Sequence, residues 1–313
     1  MKMIVVIRKK VIRDILIVLG AVIAAAILIM VGGKAIFTSS SSEKTYMVIV
    51  IDDFGEGGKG TKDMLELDIP LTAAIMPFGE TAVRDAKMAE EKGKEIIIHM
   101  PMEPEVGRAS WLGSTPITSD LSDSEVKKRT ENAMSILSAA KGMNNHMGSR
   151  IMQNERIVGV VFQCLKDKEM FFLDSKTTQN SVAGKVASEK GLELYSRDIF
   201  LDHVSTEANV EKSMEEAIKV SKKKGYAIVI GHVGAQGGDI TVRGIKNKIP
   251  RLKEENIELI TMSELREKLK QKISKKIEGR MSLVIFLLKF SLKISFLNQV
   301  SLLNIQRNLE ARN

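Results

Sequence analysis

The strongest constraint in this sequence is an alternation, repeated from Tyr46 onward, of short apolar runs with longer amphipathic stretches. The runs are Met47–Ile51, Leu71–Met76, Glu95–His99, Gly142–Met147, Met170–Leu173, Leu192–Tyr195, Tyr226–Ile230 and Ile257–Ile260. Runs this short and this apolar read as strands buried on both faces. Between them, Lys59–Leu67 is amphipathic, and helices are expected over Thr81–Lys92, Ser122–Ala140, a segment ending at Lys168, Ser181–Lys190 and Glu207–Lys224. Gly93 and Gly225 mark two ends, and Ser-Asp-Ser-Glu marks the start at Ser122. Strands alternating with helices must run parallel, joined by crossovers. Seven or eight strands in about 225 residues predict an α/β fold, a distorted or incomplete (β/α) barrel rather than a doubly wound open sheet. No Gly-x-Gly-x-x-Gly follows the first strand, and Gly55-Glu-Gly-Gly-Lys-Gly lacks the Gly-Lys-Ser/Thr ending of a phosphate loop. A nucleotide cofactor is therefore not expected.

The two ends of the chain differ from this middle. Ile15–Gly33 is an uninterrupted uncharged stretch of the length that crosses a bilayer core. Lys2, Arg8, Lys9, Lys10 and Arg13 precede it, and only Lys34 follows before the serine run Ser39–Ser42. That asymmetry orients the N-terminus to the cytoplasm and exports the rest. A cleaved signal peptide is the competing reading, but its apolar core is usually shorter. The expectation is a cytoplasmic N-terminus and one transmembrane helix over 1–36, a linker over 37–44, the barrel over 45–270 and a C-terminal extension over 271–313. The protein is expected as a single-pass protein of the cell membrane with an extracytoplasmic main domain. The extension is apolar but broken by Lys289 and Lys293, so each uncharged run is too short to span. A membrane-surface segment and a non-native extension of the reading frame are equal alternatives for it.

The formal charge of +8 belongs to these flanks. Residues 45–270 hold 32 Lys and Arg against 35 Asp and Glu, which leaves 15 basic and 4 acidic residues outside. A nucleic-acid-binding domain concentrates basic charge on its own folded surface, so nucleic acid is not an expected partner. Cys164 is the one cysteine, set in an apolar run, and reads as a small buried residue rather than a reactive thiol. It excludes an intramolecular disulfide and a thiolate cluster.

Against the apolar strands, the polar residues at their ends stand out. Asp52 and Asp53 end the first, His99 the third; Asn145, His146 and Ser149 follow the fourth; Asp174 and Ser175 end the fifth; His232 follows Tyr226–Ile230. All strand C-termini of a parallel barrel open on one rim, which would gather these residues in one mouth. Taken singly, each has an ordinary explanation: an Asp after a strand caps the next helix, and a lone His is usually a satisfied polar group. Three of the four histidines and two adjacent aspartates on one rim argue together for a site. His203, beside Asp202 in a loop, reads as solvent-exposed, and Met100, Met102 and Met147 read as packing. One carboxylate and two neutral imidazoles make a three-ligand site with room for water, suited to Zn²⁺ or a similar divalent ion. Such an ion lowers the pKa of bound water and polarises a carbonyl. A second carboxylate takes the water's proton, and a histidine opposite protonates the leaving group. Asp52/Asp53, His99/His146 and His232 are the candidates for those roles.

The motifs Ile-Asp-Asp-Phe-Gly (51–55), His-Met-Pro-Met-Glu-Pro (99–104), Met-Asn-Asn-His-Met-Gly-Ser (143–149), Phe-Leu-Asp-Ser (172–175), Phe-Leu-Asp (200–202) and Ile-Gly-His (230–232) resemble, in content and order, the divergent polysaccharide deacetylases. The resemblance runs from about Lys44 to Leu265. It implies a distorted (β/α) barrel that removes N- or O-acetyl groups from polysaccharides, using an Asp-His-His metal site. Position by position it implies Asp52 as base, Asp53 and His99 as metal ligands, and His232 as acid. The second metal histidine of the ordinary deacetylases falls four residues after the first, where this chain has Glu103; the resemblance to the divergent group moves that ligand to His146. Glu103, Asn145, Ser149, Asp174, Ser175 and Asp202 are then candidates for substrate contacts or for supporting the ligands. The Arg-Pro-Pro motif of the ordinary family is missing. The expectation is thus a metal-dependent hydrolase, Zn²⁺ favoured, removing acyl groups from a cell-envelope glycan. The alternative is a non-catalytic, membrane-tethered barrel that binds glycan or protein.

Overall fold

The computed structural model describes residues 44–310. The architecture below belongs to the unit that begins at Lys44. The transmembrane helix and linker expected before residue 44 lie outside the described residues. Among the described residues, no helix is long and apolar enough to cross a membrane.

The strands are β1 (Thr45–Phe54), β2 (Thr72–Ile75), β3 (Glu95–Met102), β4 (Gly142–Met147), β5 (Phe171–Asp174), β6 (Leu194–Ser196), β7 (Ile199–Phe200), β8 (Tyr226–His232) and β9 (Ile257–Leu259). They pair in the order β6-β5-β4-β3-β2-β1-β8-β7, every pairing parallel. The short β9 pairs with β1 at Thr45–Met47, and β2 joins β1 from Val50 onward. The two share one edge of β1, because β8 runs along the other from Tyr46 to Asp52. The sheet curls as the incomplete barrel expected, open between its end strands β6 and β7. β7 was not expected: two residues between Arg197-Asp198 and Leu201-Asp202 are too few to show a pattern.

The crossovers are α1 (Thr61–Leu65), α2 (Ala82–Glu91), α3 (Asp123–Ile136), α4 (Glu155–Asp167), α5 (Ala183–Lys190), α6 (Glu207–Lys224), α7 (Gly238–Glu254) and α8 (Met262–Glu310). Their ends follow local chemistry. Ser122, Asn154 and Thr206 each accept a backbone N–H of the first turn, and Gly225 ends α6 at φ 90°. α7 is a helix that the pattern does not announce, since it opens on Gly237-Gly238 and contains Pro250. Its tertiary packing against α6 overrides that weak propensity.

Strand alternation sorts the apolar side chains into two cores. Met47, Ile49 and Ile51 of β1 face the helices, joining Val126, Val158, Met214 and Ile245 in the outer core. Val48, Val50, Ala74, Ile97, Phe171, Leu173, Ile228 and Ile230 point into the curl. Gly142 belongs to that inner row too, and a Cβ there would overlap the Phe171 ring. Ile260 and the first turn of α8, Met262 and Leu265, close the floor of the inner core. Glu95 fixes that turn by accepting the N–H groups of Met262 (2.9 Å) and Ser263 (2.9 Å), the donors a helix N-terminus leaves unpaired. α8 then runs on as one continuous helix through what the sequence left unassigned, and residues 270–282 of it are exposed or half-buried.

Candidate metal and catalytic site

The alternation that fills the floor with aliphatic residues delivers polar ones at the rim. Two residues beyond Val50 on the same face of β1 lies Asp52; two beyond Ile97 lies His99; two beyond Ile230 lies His232. On β4, Asn144 follows Gly142 and His146 follows Asn144. Period-two geometry therefore places Asp52, His99, Asn144, His146 and His232 over one mouth.

Asp53 breaks this rule. As the neighbour of Asp52 it would point to the helices, yet its carboxylate meets both metal-candidate histidines. The backbone explains it: the β1–β2 register shifts between Ile51 and Phe54, and Asp53 sits at φ 68°, in the left-handed region. A non-glycine residue there costs on the order of 1–3 kcal/mol, and such strain gathers at functional sites. The bulge turns two consecutive carboxylates toward one centre. The loop that follows is pinned by Asp85, which is fully buried and accepts from Gly55 N (3.0 Å) and Thr81 Oγ1 (2.7 Å).

Asp53 Oδ1, His99 Nε2 and His146 Nδ1 form a near-equilateral triangle. Its edges are 3.2 Å from Asp53 to His99, 3.0 Å from Asp53 to His146 and 3.0 Å between the histidines. In a tetrahedral site with bonds of 2.0–2.1 Å, ligand atoms stand about 3.3 Å apart, so this donor set fits a small divalent cation. The outer nitrogens settle the tautomers. His99 Nδ1 lies 2.7 Å from Asn144 Oδ1, and His146 Nε2 lies 3.2 Å from the Trp111 carbonyl. Each outer partner is an acceptor, so the outer nitrogen carries a hydrogen; the inner nitrogen would offer its lone pair to a bound cation and, without one, can hold a proton toward Asp53.

Asp52 stands behind this group, almost wholly buried. Burial pushes its carboxyl above the usual range, against the pull of His99 and His232 and a 2.8 Å hydrogen bond from Asn144 Nδ2. For Asp53 burial also pushes upward, but hydrogen bonds from His146 and His99 outweigh it and hold the carboxylate low. His99 is drawn down by burial and up, more strongly, by Asp52 and Asp53.

His232 lies across from Asp52 in the β1–β8 register. Its Nδ1 donates to Asp202 Oδ1 at 2.9 Å, and its ring centroid lies 4.8 Å from that of Phe200 with the planes tilted by 54°. Asp202 is fully buried and its Oδ2 accepts from His232 N (2.7 Å) and Thr241 Oγ1 (2.6 Å). Burial lowers the pKa of His232, but the Asp202 hydrogen bond and charge dominate and raise it to about 9. His232 is therefore charged at neutral pH.

The remaining candidates hold the frame. Asn145 Oδ1 accepts from Ser175 N (3.0 Å) and its Nδ2 donates to Met147 O (2.6 Å), while Ser175 Oγ donates to Asn145 O (3.0 Å). Asp174 accepts from Lys176 N and Ser181 Oγ and shapes the loop after β5. Glu103 stands outside the triangle, paired with Arg150 (3.1 Å) and accepting from Ser119 N (2.6 Å). Ser149 accepts from Glu105 N at 2.8 Å. His203 is exposed, as its loop position implied. Sequence reasoning missed Asn144, Thr241 and the Trp111 carbonyl. Asn144 was reachable, since it shares the inward parity of His146; the other two contacts depend on how distant segments meet.

A curled parallel sheet with an Asp-His-His group on its C-terminal rim and a carboxylate-backed histidine beside it defines a polysaccharide-deacetylase type of domain. The profile of the divergent polysaccharide deacetylases matches residues 49–266, and the chain belongs to that family. It is 34% identical over 219 residues to an uncharacterized protein of Haemophilus influenzae, covering 70% of this chain and 76% of that one. It is 31% identical over 186 residues to the uncharacterized protein YibQ of Escherichia coli, covering 59% and 58%. The crystal structure of the uncharacterized protein ATU2773 from Agrobacterium tumefaciens shares the fold, with a TM-score of 0.66 at 21% identity over 72% of this chain and 91% of that one.

Proposed function

We propose that the protein is a metal-dependent hydrolase that removes acyl groups, acetyl foremost, from a cell-envelope polysaccharide. The observation that carries this reading is the triangle of Asp53, His99 and His146, with Asp52 3.7 Å from His99 and His232 beside Asp52 in the strand register. Membership of the divergent polysaccharide deacetylases supports a polysaccharide as the substrate class.

A divalent cation held by these three donors, Zn²⁺ being suited to one carboxylate and two imidazoles, supplies carbonyl polarisation and a water of lowered pKa. The protein's own groups do the rest. Asn144 orients two of them at once, donating to Asp52 and accepting from His99. Asp52, whose carboxyl burial raises above the ordinary range, takes the proton of the attacking water. His232, kept protonated by Asp202, gives its proton to the departing amine or hydroxyl. Asp53 holds its charge against burial because two histidines face it.

The uncharged stretch Ile15–Gly33 with basic residues before it supports the further reading that the domain is tethered to the membrane and works outside the cytoplasm. Elemental analysis of detergent-extracted full-length protein, purified without added metal, tests the mechanism. About one divalent ion per chain, lost in His99→Ala and His146→Ala, together with acetate release from acetylated glycans, is the expected result. A protein that is metal-free and takes up no Zn²⁺ on titration would sink the hydrolytic reading and leave a binding barrel.

A further inference from the structure

We infer that α8, beyond the floor of the curl, is a membrane-surface helix that lies flat on a bilayer containing anionic phospholipid. The surface lies apart from the metal-candidate triangle, and its use does not depend on the hydrolase reading.

α8 is 49 residues long, and the domain uses only its beginning. Met262 and Leu265 are buried in the floor, Arg266 and Lys270 pair with Glu193, and the family profile ends at residue 266. From Gln271 onward every described side chain is exposed. A helix that stands in water is expected to be polar all round. This one is not. Ile273, Ile277, Met281, Val284 and Ile285 are each 48% to 59% exposed. At about 100° per residue these five fall within one arc of about 120°, a continuous apolar face with nothing packed on it among the described residues. A contiguous apolar patch in water marks an interaction surface.

Charge on the other side of the helix selects the occupant. Over 271–289 the helix carries Lys272, Lys275, Lys276, Arg280 and Lys289 against a single acid, Glu278. By the same geometry Lys272, Lys275, Lys276 and Lys289 fall opposite the apolar arc, and Arg280 flanks it. At that flank a long stem lies along apolar surface while its charge reaches the headgroups. Among the described residues the last ion pairs along α8 are those of Lys270 with Glu193 and Glu267, so the five cations beyond are unmatched. A second copy would bring cation against cation. A bilayer with anionic headgroups matches both faces at once: the acyl boundary takes the apolar arc and the phosphates meet the lysines. Among the described residues no helix is long and apolar enough to cross a membrane, so the geometry that fits is a flat one. α8 leaves from the floor, where Glu95 at the start of β3 holds its first turn, and the mouth is at the other end of the strands. Lipid on this helix therefore leaves the mouth to a glycan.

Two labels test the two faces. In full-length protein carrying Cys164→Ala, an environment-sensitive fluorophore is attached through Met281→Cys on the apolar arc or through Ser282→Cys on the basic side. Each protein is reconstituted into phosphatidylcholine vesicles with or without phosphatidylglycerol, with brominated lipid as quencher. The expected result at position 281 is blue-shifted, lipid-quenched emission in the anionic vesicles, reversed by high salt. Position 282 should stay solvent-like throughout. Lys272→Gln and Lys276→Gln should each lower the ratio of docked to free helix about fivefold, the effect of one cation near an anionic surface. Ile277→Asp should abolish the quenching and leave metal content unchanged. Solvent-like emission at position 281 in both kinds of vesicle overturns the inference. A blue shift without lipid quenching overturns it in favour of a second copy of the chain. Quenching that is equal with and without phosphatidylglycerol, or equal at positions 281 and 282, overturns it as well, the first by removing the anionic lipid and the second by removing the flat geometry.

Discussion

His99 and Asn144 are register partners on β3 and β4, and His99 Nδ1 lies 2.7 Å from Asn144 Oδ1. One amide therefore fixes a metal-candidate imidazole with its oxygen and, through Nδ2 at 2.8 Å, the candidate base Asp52 with its nitrogen. Neither flipping the amide nor replacing it satisfies both neighbours. Asn144→Ala is expected to weaken Zn²⁺ binding about 10–100-fold, measured by chelator competition. It should also cost about 1–3 kcal/mol in urea unfolding, since it strands buried polar groups. Unaltered metal affinity would show that His99 is oriented by something other than Asn144.

The two adjacent aspartates separate by role. Asp53→Ala and His146→Ala should each abolish stoichiometric Zn²⁺, because each removes a corner of the triangle. Asp52→Asn should keep the metal and lose about 10²–10⁴-fold in turnover, the range for one general base. Elemental analysis beside kcat decides it; loss of metal in Asp52→Asn would exchange the assignments.

His232→Ala should likewise retain metal and lose turnover. Its pairing with Asp202 also has a signature in stability. The folded pKa of about 9 exceeds the ordinary value of 6.5, so the folded state holds the proton more tightly. That stabilisation is complete below about pH 6.5 and lost as pH rises through 9. It amounts to about 3 kcal/mol at most. Thermal melts of the metal-free protein from pH 6 to pH 10 should show the decline, and Asp202→Asn should flatten it.

Gly237 faces the same pair. A Cβ built there overlaps Asp202 Oδ2, Thr241 Oγ1 and the His232 carbonyl together. Gly237→Ala should therefore cost roughly 1–3 kcal/mol, as overpacking does, and lower kcat while leaving Zn²⁺ content unchanged. Denaturant unfolding and metal analysis on the same sample check both parts.

Beyond the floor, residues 270–282 of α8 are exposed. Ile273, Ile277 and Met281 are each more than half exposed, whereas Met262 and Leu265 are fully buried and Arg266 pairs with Glu193. Ending the chain after Lys270 should shift unfolding stability by no more than about 0.5 kcal/mol, the scale of surface changes. Glu95→Ala, which frees the first turn of α8, should cost about 1–3 kcal/mol in the same assay.

Much of this architecture was written in the order of residues. Strands buried on both faces must be continuous apolar runs, so β1, β3, β5 and β8 were legible, and Gly225 gave the end of α6. The rim was legible because a parallel sheet sends every strand end the same way, which gathers Asp52, His99, His146 and His232 at one mouth. What the sequence could not carry depends on geometry between segments. The bulge that turns Asp53 inward is a matter of strand register and a left-handed backbone, and neither has a residue signature here. Asn144 reads as one of two asparagines until register sets it opposite His99. Glu103 occupies the sequence position of a ligand but lies with Arg150, because a loop, unlike a strand, does not fix direction. Residue order thus determined which groups reach the mouth; only the tertiary packing decided which atoms face one another there.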